Sequence, residues 1–153
     1  MPVKYRSTKT YGHEVGLSCA FRQHRADSHC RFLHGYALSI RLEFEAQALD
    51  ARNWVVDFGS LKSFKQELVD TFDHKTLVAA DDPSLAVFKQ MERVGICELV
   101  VVEKTGCEAF AELIFECAEI WLKDAGYAPR VRVREVEVRE HGANSAIFSK
   151  GAA

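Results

Sequence analysis

The chain has no C-x-x-C pair, no unbroken apolar run of the roughly 18 residues needed to span a bilayer, and no marked excess of either charge. Each absence closes off a class of function. Five cysteines, at Cys19, Cys30, Cys97, Cys107 and Cys117, are an odd set without framework spacing. A secreted disulfide scaffold is therefore not expected, and free thiols in a reducing compartment are. The positive charges of the first six residues have no apolar stretch behind them, so no signal peptide is expected and the predicted location is cytoplasmic. A formal net charge of -2 and a pI near 6.3 give no reason to expect nucleic acid or an anionic membrane as partner. Repeats, low-complexity tracts and linkers are absent too, and 153 residues suffice to bury a core without staples, so a single domain over 1–153 is expected.

What is present is periodicity. From Tyr11 to Phe21 one parity carries Tyr11, His13, Val15, Leu17, Cys19 and Phe21, the pattern of a half-buried strand weakened by Gly12 and Gly16. From Tyr36 to Gln47, Leu38, Ile40, Leu42 and Phe44 alternate with Ser39, Arg41, Glu43 and Glu45, and the two strands are expected to pair antiparallel. Leu61, Phe64, Leu68 and Phe72 recur at helical spacing behind Asp57 or Ser60 as N-cap. A shorter helical stretch with Leu85, Val87, Phe88 and Met91 stops at Gly95, and Ile96 to Val102 reads as a strand. Phe110, Leu113, Ile114, Cys117, Ile120 and Trp121 mark the strongest helix, stopped by Gly126. Strands follow over Arg130–Glu140 and Ser145–Ser149, and Trp54 and Trp121 are assigned to the core. The order predicts an α+β domain, an antiparallel sheet with helices on one face, whose open edges close by assembly into an oligomeric barrel.

Between the first two strands, Ser18 to Tyr36 gathers two cysteines, three histidines and three arginines in one connection. Loops on rigid scaffolds are where chemistry usually sits. Asp73-His74 and Glu140 lie at the ends of other elements and are the groups available to complete such a site.

Several segments together resemble the family of 6-pyruvoyl- and 6-carboxy-tetrahydropterin synthases. Cys30-Arg31-Phe32-Leu33-His34-Gly35-Tyr36 is similar to its Cys-x-x-x-His-Gly-His, and Val56-Asp57-Phe58-Gly59-Ser60-Leu61-Lys62 belongs to a stretch resembling its Val-x-Asp-Phe-x-x-Leu-Lys. Phe72-Asp73-His74 is like its Leu-Asp-His, Thr105-Gly106-Cys107-Glu108 stands where it has Pro-Thr-x-Glu, and Val138-Arg139-Glu140 is like its last conserved strand. The resemblance spans about Gly12 to Phe148 and implies a tunnelling fold with a four-stranded antiparallel sheet, a homohexamer with sites between subunits, and a lyase acting on dihydroneopterin triphosphate or a related pterin. It also implies a place in pterin or queuosine-type deazapurine metabolism.

The resemblance further implies roles. Cys30 would be the base for a carbon-bound proton once a neighbour lowers its pKa. Asp73 would orient His74, which relays a proton. Glu140, with Glu108 beside it, would bind the ring nitrogen and amine of the pterin. Arg22, Arg25 and Arg31 either meet a triphosphate or form a solvated loop. The family holds zinc with three histidines. Here His34 is unaltered, while Tyr36 takes the third position and, read without a gap, Phe21 the first. Either His24 supplies the missing ligand through a shortened loop, or Cys19, His24 and His29 build a different set around His34. Failing both, the pocket binds a pterin without the metal, and a noncatalytic pterin- or purine-binding protein is the alternative.

Overall fold

The computed structural model describes residues 3–151; Met1, Pro2, Ala152 and Ala153, part of the expected domain and leader-free N-terminus, lie outside them. The organising strand is β3, His34–Ala46. Its alternation is the reason: Leu38, Ile40, Leu42 and Phe44 are fully buried on one face, and Arg41, Glu43 and Glu45 point to the other. Along one edge β3 pairs antiparallel with β1, Tyr5–Tyr11, and then with β2, Leu17–Phe21. The expected continuous strand from Tyr11 to Phe21 is thus corrected. A 3-10 turn over His13–Val15 interrupts it, closed by Gly16 at φ 79, a left-handed conformation that favours glycine.

The other edge of β3 pairs antiparallel with β6, Val131–His141, which pairs with β7, Asn144–Phe148. If β1 and β2 count as one broken strand, these are the four antiparallel strands expected. The sheet is larger than that, however. β4, Lys75–Ala79, runs parallel to β2, and β5, Leu99–Val102, runs parallel to β4, giving seven strands.

Three helices connect them: α1, Lys62–Phe72; α2, Leu85–Arg93; and α3, Cys107–Asp124. Before α1, Asp57 caps a 3-10 turn over Phe58–Leu61 by accepting the Gly59 N–H at 2.8 Å. The apolar stripe of α3, including Phe110, Ile114, Phe115, Ala118 and Trp121, packs on the apolar face of the sheet. Trp121 Nε1 donates to Ser63 Oγ at 2.9 Å and ties α3 to α1. Ile120, expected on the same stripe, is 61% exposed, and Trp54, expected in the core, is 43% exposed beneath the Arg52 guanidinium. No helix of the described residues is long and apolar enough to cross a membrane.

The opposite face of the sheet is a lattice of charge. Glu45 accepts from Arg132 Nε at 2.8 Å with Lys4 and Arg6 each 3.6 Å away, Glu43 lies 3.2 Å from Arg134, and Arg41 donates to Glu135 at 2.7 Å.

Candidate active site

The site forms where β2 and β3 run out. Their register sets Phe21 opposite His34 and Cys19 opposite Tyr36, so these positions project to the helix-covered side. Gly35, between His34 and Tyr36, is required by close approach: a Cβ there would lie 2.6 Å from the Cys19 carbonyl oxygen. Phe21 packs edge-on against Phe110 of α3 with centroids 5.0 Å apart, which fixes the end of β2 on the helix layer.

The connection from Arg22 to Leu33 is folded rather than loose. Gln23 N–H donates to Cys30 O at 2.9 Å, and Thr105 Oγ1 donates to Arg22 O at 2.8 Å. Arg22 grips Asp82 through two nitrogens, at 2.8 and 2.6 Å, and the Asp82 side chain is 1% exposed. This bond holds the Asp82 carboxyl below its usual range, against the opposing effect of burial. Arg25 pairs with Asp81, and Arg31 donates to the carbonyls of Asp27 and Ser28 and stacks on Phe32. Two of the three arginines weighed for a triphosphate are therefore committed to carboxylates.

Cys30 is half-buried in a 3-10 turn, His29–Arg31, capped by Ser28. Tyr36 lies within electrostatic reach of Glu140, Cys30 and Cys107; burial first, then these groups, raise its hydroxyl pKa. Glu140 and Glu108 both act on Cys107, which opens α3; burial, followed by Glu140 and Glu108, pushes that thiol up to about 12. A thiol at a helix N-terminus is ordinarily more acidic, and here desolvation and two carboxylates override the dipole. Cys30, Cys107 and Glu140 thus lie within electrostatic reach of Tyr36, and Glu140 and Glu108 within reach of Cys107, in a single chain. Sequence reasoning passed over Cys107, although it sits between two residues of the Thr105–Glu108 segment already singled out.

Asp73 and His74 are elsewhere. Asp73 Oδ1 meets His74 Nδ1 at 2.7 Å just past α1, with His74 at φ 58 and its N–H donating to Ser18 O at 2.6 Å. The imidazole is 85% exposed and borders a groove of about 410 Å³ along the β2–β3 ribbon, lined by Ser18, Cys19, Ala20, Gly35, Tyr36 and Ala37 and reaching Cys97. Ser18 and Ala20 alternate with Cys19, so their side chains leave the ribbon on the face opposite to that of Cys19. Within one chain the pair is not brought to Cys30.

The residues offered for zinc do not gather among the described residues of one chain. His24 sits 3.7 Å from Asp81 and 4.0 Å from Asp82, at the arginine-clamped turn. Among the described residues no three His, Cys, Asp or Glu side chains are arranged to hold a metal. Around His34 stand Phe21, 5.5 Å away between ring centroids, and Tyr36 at 5.4 Å. One imidazole, a phenyl ring and a neutral phenol do not make a zinc site, so the group implied by the resemblance does not fit these residues.

A curled sheet, antiparallel at its centre and carrying its helices on one face, is the tunnelling fold. Solved structures with it superpose over nearly the whole chain. A Wolinella succinogenes protein described as uncharacterized gives a TM-score of 0.81 at 20% identity, covering 97% of this chain and 99% of its own. Plasmodium falciparum 6-pyruvoyl tetrahydropterin synthase gives 0.69 at 15% identity, covering 96% and 98%. The chain belongs to the 6-pyruvoyl tetrahydropterin synthase family, whose model matches residues 12–151. Among curated relatives, the 6-carboxy-5,6,7,8-tetrahydropterin synthase of Aquifex aeolicus is 24% identical over 161 aligned residues, covering 97% of this chain and 99% of that protein.

Proposed function

We propose that this protein is a lyase of the pterin synthase type, acting on dihydroneopterin triphosphate or a closely related pterin. The observation that carries the reading is that Cys30 and Glu140 both lie within electrostatic reach of Tyr36 in a chain that belongs to this family. Glu140, with Glu108 beside it, accepts hydrogen bonds from the ring N–H and exocyclic amine of the pterin, a two-point contact that fixes the ring plane. Cys30 as thiolate removes a carbon-bound proton from the side chain, and the electron pair left behind expels the triphosphate or rearranges the side-chain carbons. His74, oriented by Asp73 at 2.7 Å, returns a proton.

Because that imidazole is 85% exposed on its own chain, it serves the pocket of a neighbouring copy. A homohexamer of single-domain subunits, working in the cytoplasm within pterin or queuosine-type metabolism, is the setting we propose. Phe21 and Tyr36, in place of two family histidines, favour a second reading, a pterin- or purine-binding member without lyase activity.

Incubating the purified protein with dihydroneopterin triphosphate and its side-chain analogues, with products followed by chromatography, separates the two. The lyase releases triphosphate, and Cys30→Ala slows it by at least about 100-fold. A binder retains the pterin unchanged. Turnover by Cys30→Ala at the parent rate would remove the proposed base.

A further inference from the structure

The ring cluster at the end of β2 and β3 has one good hydrogen-bond donor aimed among reactive groups. Phe21 carries no polar atom. His34 Nδ1 lies 2.7 Å from Phe32 O, a bond that makes Nδ1 the protonated nitrogen and leaves Nε2 as an acceptor. Tyr36 touches every part of the cluster: its ring lies 5.4 Å from His34, 6.1 Å from Phe21 and 6.2 Å from His141. Its hydroxyl lies within electrostatic reach of Glu140, Cys30 and Cys107. A flat heterocycle anchored at Glu140 would carry its side chain toward the thiol of Cys30, and so past this phenol.

We infer that the pocket is metal-independent and that Tyr36 supplies, as a hydrogen-bond donor to the side-chain oxygens of the ligand, the electrophilic contact that no metal can make there. The inference rests on the pterin reading above. In the lyase reaction the balance is simple. The C–H bond of the side-chain carbon next to the ring breaks, an S–H bond forms at Cys30, and the electron pair moves into the conjugated C=N of the dihydropterin ring. The Tyr36 O–H donates a hydrogen bond to the hydroxyl oxygen on that carbon, holding it in place and drawing electron density from it without giving up its proton. Tyr36 is then also a specificity residue, since its hydroxyl has a partner only when the ligand side chain bears oxygen. His34 and Phe21 hold the phenol in place by ring contact.

Two measurements test this without relying on turnover. First, cobalt(II) is titrated into chelator-treated protein and the visible spectrum read for tetrahedral bands. No band is expected for the parent, and a stoichiometric one overturns the inference. Phe21→His/Tyr36→His, which would place three imidazoles at these positions, is expected to gain the band. Second, the affinities of neopterin, with its hydroxylated side chain, and of unsubstituted pterin are compared by calorimetry. Tyr36→Phe is expected to weaken neopterin about tenfold, one hydrogen bond's worth, and to leave unsubstituted pterin unchanged. Equal weakening of both ligands, which loss of packing alone produces, overturns the donor role, as does no change in either.

Glu140→Gln, by contrast, is expected to weaken both ligands together. A parent that binds neither pterin removes the functional reading and with it the role of Tyr36, while the cobalt titration still decides the metal question by itself.

Discussion

The two faces of β3 are buried by opposite means. On the helix side Leu38, Ile40, Leu42 and Phe44 are sealed by apolar contact, and that side is complete within one chain. On the other side Glu45 is only 3% exposed, yet the stems and head groups of Lys4, Arg6 and Arg132 cover it rather than a helix. The same strand, with the same alternation, therefore draws stability from dispersion and dehydration on one face and from charge pairing on the other. The first is indifferent to mild acid, and the second is not.

Breaking the apolar face has the largest expected effect. Phe44→Ala should cost about 4 kcal/mol in urea unfolding, from lost burial and the cavity left behind. Breaking the charged face comes next. Glu45→Ala should cost about 2 kcal/mol, less than a fully enclosed pair because its cations reach solvent. Burial acts to raise the Glu45 carboxyl, but the Arg132 bond, with Lys4 and Arg6, outweighs it and holds the group below its ordinary range. Its contribution is present above the unfolded carboxyl pKa of about 4.3 and is lost as pH falls through the lower folded value. An acid titration of the unfolding midpoint should be shallower in Glu45→Ala than in the parent. Identical slopes would show that this face is not held by its charges.

The apolar side fails at the other end of the pH scale. Burial raises Cys19 to about 12, and Cys107 reaches about 12 as well. Unfolded thiols ionise near pH 8.5, so this contribution is whole below about 8.5 and is lost as pH rises from there toward the folded values. Cys107→Ala should flatten the alkaline decline in unfolding midpoint between about pH 9 and 11. The smallest effect is kinetic: at pH 8 a thiol reagent should label half-buried Cys30 and Cys97 before buried Cys19 and Cys107. Equal rates would show that the apolar face opens as readily as the loop.

How far the sequence reached depended on whether its pattern was unique. Leu38 to Glu45 alternates without interruption and sits at the centre of the sheet, so β3 was legible. The parity of Tyr11 to Phe21 misled, because it survives the His13–Val15 turn: both flanking strands pair with β3 on the same edge, and the buried side chains resume in phase. β4 left no alternation to read. Thr76-Leu77-Val78-Ala79 is buried on both faces between β2 and β5, which is the signature of a parallel strand and also of a helix tail. Ile120 strayed from the predicted stripe because it continues the flank of half-buried Leu113 and Cys117, while Ala118, Trp121 and Leu122 carry the buried face in the same turns of α3.

At the site, adjacency in sequence revealed the motifs but not the direction of the side chains. Cys30 and Glu140 approach Tyr36 because β2–β3 and β6 end on the same side, whereas Asp73-His74, just past α1, is tied to the main chain of Ser18 further along β2. That difference lies in the pairing of β4 alongside β2 and is invisible until the pairing is known. His24 was offered to the metal by proximity in sequence, but in the fold Asp81 and Asp82 claim it.

The strut that places His74 runs from main chain to main chain, its peptide N–H on the Ser18 carbonyl, with the residue itself at a left-handed bend. The ring is steadied separately, by Asp73 Oδ1 at 2.7 Å from Nδ1, while the main-chain strut sets where the side chain starts. The fold thus provides a socket whose location is set independently of what is plugged into it, and a different reactive tip could be fitted there without re-aiming the mount.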